Sequence, residues 1–114
     1  MVVTLVAAWL LAAAESPEKI FQQATQALAA GKLDTAEQGF RQVLRAEPNH
    51  AGALGNLGVV YSRMDRVADA IDVYRRALRI APNEPGLLLN LGLAYLKLED
   101  YSSAKALLAK VKAR

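Results

Sequence analysis

A pattern that returns every 34 residues constrains this chain more than any other feature. Leu54, Leu57, Gly58 and Tyr61 come back as Leu88, Leu91, Gly92 and Tyr95. Ala36, Ala70 and Ala104 share one register, and Pro48 and Pro82 share another. A fixed period of this length, with apolar and small residues locked to fixed phases, specifies stacked helical units rather than one globular core. Such a stack usually builds a surface for holding another molecule, not a pocket for chemistry.

Within a unit, Leu54, Leu57 and Tyr61 are spaced by three and four, which places them on one face of a helix. Ala70, Tyr74, Ala77 and Leu78 do the same for a second helix. Gly58 and Gly92 fall mid-helix, where glycine costs ~1 kcal/mol against alanine. That cost is reasonable if a neighbouring helix crosses there, with Ala70 facing the crossing from the other side. Punctuation agrees. Ser16-Pro17-Glu18 reads as an N-cap, a first-position proline and a first-turn acid. Gly31 suits a helix stop, and Asp34 with Glu37 suits a capping box for the next helix. Pro48-Asn49 and Pro82-Asn83 close each pair, because the residue before proline is pushed out of helical geometry. The expectation is six helices of about 12 to 14 residues, as the period dictates, and no strands.

The second unit, Leu54-x-x-Leu57-Gly58-x-x-Tyr61 followed by Ala70, Tyr74, Ala77 and Pro82, resembles the tetratricopeptide repeat (TPR) signature at every main position. The third matches through Leu88, Leu91, Gly92, Tyr95 and Ala104, then departs at Leu108 and Val111. The first is divergent: Ile20, Ala36, Phe40 and Pro48 fit, whereas Gln23, Ala24 and Ala27 replace the Leu, Gly and Tyr. The resemblance implies an all-α, right-handed superhelical stack of three helix-turn-helix units (an α-solenoid), spanning residues 17–50, 51–84 and 85–114, the last incomplete. Leu54, Leu57, Tyr61, Ala70, Tyr74, Leu88, Leu91, Tyr95 and Ala104 are its expected core.

Residues 1–14 follow another logic. Val2 to Ala14 carries no charge and ends in Ala12-x-Ala14 ahead of Glu15. An apolar run of ~7–15 residues closed by small residues describes a secretory signal peptide, and a comfortable membrane span needs ~17–25. No Lys or Arg precedes the run. Three readings stay open: a cleaved signal peptide, an uncleaved membrane anchor or clipped start, and an apolar helix docked on the repeats. The first two place the protein outside the cytoplasm, in the periplasm or envelope; a leader without function would leave it cytoplasmic.

Chemistry finds little purchase. Cysteine is absent, which removes disulfides, thiolate nucleophiles and cysteine-based metal sites. The one histidine, His50, falls in an inter-repeat turn and reads as a solvated turn residue. Asp72 is spaced to pair with Arg76, and Glu37 with Arg41, as exposed helix-face charges. Gly52, Gly55 and Gly58 match no nucleotide motif and follow no strand. No catalytic residue, cofactor or metal site is expected. The net charge of +3 is weighted toward Lys105, Lys110, Lys112 and Arg114. Basic residues in the last turns of a helix are favoured by its dipole, and without a recognition motif they do not imply nucleic acid.

In TPR proteins the first helix of each pair lines a concave groove in which peptides lie. Carried onto this chain, the groove holds Phe21, Thr25 and Leu28 in unit one. It holds Gly55, Asn56, Val59, Ser62 and Arg63 in unit two, and Leu89, Asn90, Leu93, Leu96 and Lys97 in unit three. Asn56, Val59, Arg63, Leu89, Asn90, Leu93 and Lys97 are the candidate binding residues, with Gly52 and Gly55 widening the inner surface. Some TPR cochaperones grip a C-terminal carboxylate with basic and Asn residues. Of those positions only Asn56 is retained, the others holding Phe21, Thr25, Gly86 and Asn90, which argues against an acidic chaperone tail. The expected function is a noncatalytic protein-interaction module or scaffold that binds a peptide through apolar anchors. An accessory segment of a larger enzyme, such as a transferase, is the alternative. Membrane contact is expected only through residues 1–14 if the leader stays uncleaved, and a homo-oligomer could form through the uncapped third repeat.

Overall fold

The computed structural model describes residues 15–112; the leader and the last two residues lie outside them. Six helices run in order: α1 (Pro17–Ala29), α2 (Leu33–Ala46), α3 (Ala51–Arg63), α4 (Val67–Ile80), α5 (Pro85–Lys97) and α6 (Tyr101–Lys112). No strand occurs among the described residues. Each unit is a hairpin, α1 with α2, α3 with α4, α5 with α6, and the second helix of one unit packs on the first helix of the next. α1 also touches α3, and α3 touches α5, whereas the second helices α2, α4 and α6 make no such mutual contacts. Each unit therefore meets only its neighbours, as a linear repeat must. The first helices converge while the second helices splay, so the stack is concave along α1, α3 and α5.

The helix boundaries carry the period into the backbone. Ser16, His50 and Glu84 stand at one register and each caps a first helix with its side chain. The Ser16 hydroxyl accepts from the Lys19 amide at 3.2 Å, His50 Nδ1 from Ala53 at 2.9 Å, and Glu84 Oε1 from Gly86 at 3.3 Å. His50 is thus a half-buried helix cap, and the expectation of a solvated turn residue is corrected. The same three helices end alike, with Gly31, Asp65 and Glu99 at positive φ of 76°, 62° and 61°. In each turn, the amide after the positive-φ residue bonds a carbonyl five residues back: Lys32 to Ala27, Arg66 to Tyr61, Asp100 to Tyr95. This is the Schellman arrangement.

That turn overturns one expectation. Lys32 both closes α1 and precedes α2, so Asp34 already lies inside the first turn of α2 and no side chain caps that helix. Glu37 instead faces Arg41 at 3.6 Å, the pairing its spacing suggests, and Arg66 at 3.3 Å. Asp72 and Arg76 form no ion pair among the described residues.

Packing explains the small residues. A Cβ on Gly58 would lie 2.6 Å from Cδ1 of Tyr74, and one on Gly92 would lie 2.8 Å from Cδ2 of Leu108, the same register one unit on. In the divergent first unit the small residue has changed sides. Ala24 occupies the glycine phase, and Gly39 across from it leaves room, since a Cβ there would lie 2.7 Å from that of Ala24. Ala36, Ala70 and Ala104 are buried at the crossings, and Phe40, Val43, Leu54, Val60 and Tyr74 are the largest fully buried side chains. The expected core is buried with one exception: Tyr95 is only half-buried. Its counterpart Tyr61 lies beneath the Arg66 guanidinium, 4.5 Å from the ring centre. In the third unit Asp100 stands at that register and offers no such cover.

Candidate functional site

The concave face is built by side chains that α3 and α5 turn away from their own partners. Between these helices lie two adjoining hollows. One, of about 340 Å³, is bounded by Gly52, Gly55, Asn56, Gly86, Leu87 and Glu84. The other, of about 280 Å³, is bounded by Ser62, Arg63, Val67, Tyr74, Leu93 and Lys97. Val59 and Asn90 belong to both and form the saddle between them. Of the seven candidate residues, Asn56, Val59, Arg63, Asn90, Leu93 and Lys97 are brought together here. Leu89 lines neither hollow and stands 42% exposed on α5.

The first unit contributes less to this face than the repeat register implies. Leu28 is buried in the core. Phe21 is half-buried, edge-on to Phe40 with ring centres 5.7 Å apart and tilted against His50 at 4.7 Å. Leu28 is thus spent on the core, and Phe21 on the contact with Phe40 and the cap residue of α3. The glycines are likewise not idle: a Cβ on Gly55 would come 3.0 Å from Leu87, and one on Gly52 would come 3.3 Å from Phe21 and 3.1 Å from His50. They let neighbouring units close while leaving the first hollow shallow.

The two basic residues do more than rim the groove. Arg63 donates from Nη1 to the carbonyl of Leu28 at 3.2 Å. Lys97, one period on, meets Asp65 at 2.7 Å. Each reaches back to the end of the first helix in the preceding unit, where carbonyls and a carboxylate offer negative charge. Lys97 holds the exposed Asp65 carboxyl below its usual range, first by hydrogen bonding and then by charge. This stitch was missed by sequence reasoning, although the equal register of Arg63 and Lys97 was its signal.

Asn56 and Asn90 are half-buried at the same register, and neither amide side chain is held by a hydrogen bond among the described residues. Each keeps a donor and an acceptor free for a ligand. Beside them Val59 is half-buried and Leu93 is 50% exposed, giving apolar contact. The Tyr74 hydroxyl faces Ser62 under the second hollow, and burial pushes the phenol above its ordinary value of 10.0. No group of His, Cys, Asp and Glu suited to a metal occurs among the described residues. The surface can therefore bind backbone amides and apolar side chains.

Comparison with known proteins agrees with the helical-repeat fold. Residues 21–85 match a family model described as tetratricopeptide repeat, and residues 64–114 match a second with the same description. No curated protein sequence matches the chain. Among solved structures, a crystal structure of MamA superimposes with a TM-score of 0.82 at 21% identity, over 86% of this chain and 57% of that one. The chain thus spans little more than half the length of that MamA protein. The second TPR of Spaghetti (RPAP3), bound to the HSP90 peptide SRMEEVD, superimposes with a TM-score of 0.82 at 15% identity, over 87% of this chain and 92% of that one. At such identities the likeness establishes the fold alone.

Proposed function

The chain belongs to the tetratricopeptide-repeat family, and from that premise we propose that its concave face holds an extended or helical peptide segment of a partner protein, without catalysing a reaction. One observation carries the reading: two hollows meet at Val59 and Asn90, with the side-chain amides of Asn56 and Asn90 unengaged beside them. Amides spaced one repeat apart match a ligand's backbone groups, and the apolar hollows take alternate side chains. The peptide bound to the Spaghetti repeat is a precedent for this fold. The ligand here differs in chemistry from an acidic tail. Phe21 is turned to Phe40 and His50, while Thr25, Gly86 and Asn90 supply no cation where a carboxylate clamp would need one.

We also propose that residues 1–14 act as a signal or anchor and place the module in the periplasm or envelope; the uncharged run ending in Ala12-x-Ala14 supports it. N-terminal sequencing from the native host tests this, and an intact Met1 on soluble cytoplasmic protein would refute it. For the groove, the partner is identified by affinity capture with mass spectrometry and then titrated against variants. Asn56→Ala with Asn90→Ala should weaken binding at unchanged helicity. Leu93→Asp should abolish it by setting an unpaired charge among apolar anchors. Full binding by both folded variants would exclude the concave face.

A further inference from the structure

The splayed second helices leave two furrows on the outer surface, and the furrow between α4 and α6 has chemistry that the concave reading does not use. Its volume is about 380 Å³. Arg75 and Arg79 stand on one wall and Lys110 on the other, above a floor of Leu78, Leu88 and Leu107. The three cations repeat, one period on, the Arg41, Arg45 and Arg76 of the furrow between α2 and α4. The two furrows differ in compensation. Asp69 and Asp72 line the first, whereas the second has no carboxylate in its lining. None of Arg75, Arg79 and Lys110 takes part in an ion pair or side-chain hydrogen bond among the described residues.

We propose that this outer furrow docks an acidic segment of a partner protein that carries leucine-like side chains, at a site separate from the concave groove. Charge complementarity selects the acidic character, since three uncompensated cations concentrate an anionic segment along the furrow. The aliphatic floor selects a protein over a nucleic acid, which binds basic grooves through aromatic stacking partners absent from this lining. Concavity selects a segment over a flat membrane, because Leu78 and Leu107 lie between the helices, half-buried, rather than on a crest.

Fluorescence anisotropy of the full chain tests the proposal with three labelled probes: a glutamate peptide with leucine at every third position, a leucine-free glutamate–serine peptide of equal length, and single-stranded oligothymidylate. The leucine-bearing peptide should bind most tightly and weaken as salt is raised. Arg75→Glu with Arg79→Glu, and separately Lys110→Glu, should each weaken it by about tenfold or more. These residues are exposed or line an open furrow, and circular dichroism verifies that the variants stay helical. Asn56→Ala with Asn90→Ala should leave this binding unchanged, which separates its failure from failure of the concave reading. Binding that survives the charge reversals, oligothymidylate that binds as tightly, or no peptide binding at all would overturn the proposal.

Discussion

Gly58 lies directly beneath the ring of Tyr74, so close that the smallest possible side chain on α3 would collide with the fully buried phenol of α4. This one relationship explains why a residue unfavourable to helices sits in the middle of one. It also separates the glycines. Gly58→Ala must displace a buried ring and should destabilise by ~1–3 kcal/mol, even against a helix-propensity gain of ~1 kcal/mol. Gly86→Ala, whose Cβ would meet only the Glu84 carboxylate at 3.6 Å, should be neutral or stabilising. Thermal midpoints moving the same way in both variants would contradict the assigned crossing.

The turns supply a second prediction. Gly31, Asp65 and Glu99 adopt the same left-handed backbone, but only glycine does so without steric penalty. Glu99 is exposed and forms no ion pair among the described residues, so its replacement isolates the backbone effect. The left-handed conformation costs ~1–2 kcal/mol for a residue with a Cβ, and glycine's greater unfolded-state freedom offsets ~0.4–1 kcal/mol of the relief. Glu99→Gly should therefore raise stability by roughly 0.5–1 kcal/mol in urea unfolding. A lowered midpoint would mean that the turn is held by something other than this geometry.

Much of the fold was legible because its signals are local and periodic: Leu54, Leu57 and Tyr61 announce a helix face, and Gly58 announces a crossing. What escaped depends on groups distant in the chain or on the exact geometry of a turn. His50 looks like a turn residue until Phe21, from α1, closes on its ring. The capping box at Asp34 failed because the tight turn through Gly31 puts Lys32, whose ammonium can accept no hydrogen bond, at the cap position of α2. In the groove, the phase of a residue identified its face but not its engagement. Arg63 and Leu28, both assigned to the ligand surface, meet each other instead through side chain and carbonyl.

Alkaline pH should expose the burial of Tyr74. Desolvation raises its pKa in the folded state above that of the unfolded chain. A raised folded value means that the unfolded state loses its proton first as pH rises. The stabilisation is complete below the unfolded value near 10 and declines as pH climbs toward the folded one. Tyr61 is shifted in the same direction, first by burial and then by Glu37. Tyr74→Phe should therefore lose less stability than the parent between about pH 8 and pH 11. Equal losses in urea midpoints over that interval would show that Tyr74 ionises as freely as in the unfolded chain.

The central claim is that α3 and α5 present the ligand-binding face, and site-specific photo-crosslinking tests it most directly. A photoreactive residue placed at Leu93, half exposed above the second hollow, is compared with one at Gln38, exposed on α2. In the native host, with the full chain, crosslinks from Leu93 should map to one short segment of a partner protein and should diminish when Asn56→Ala and Asn90→Ala are added. The same segment captured from Gln38, with none from Leu93, would contradict the account.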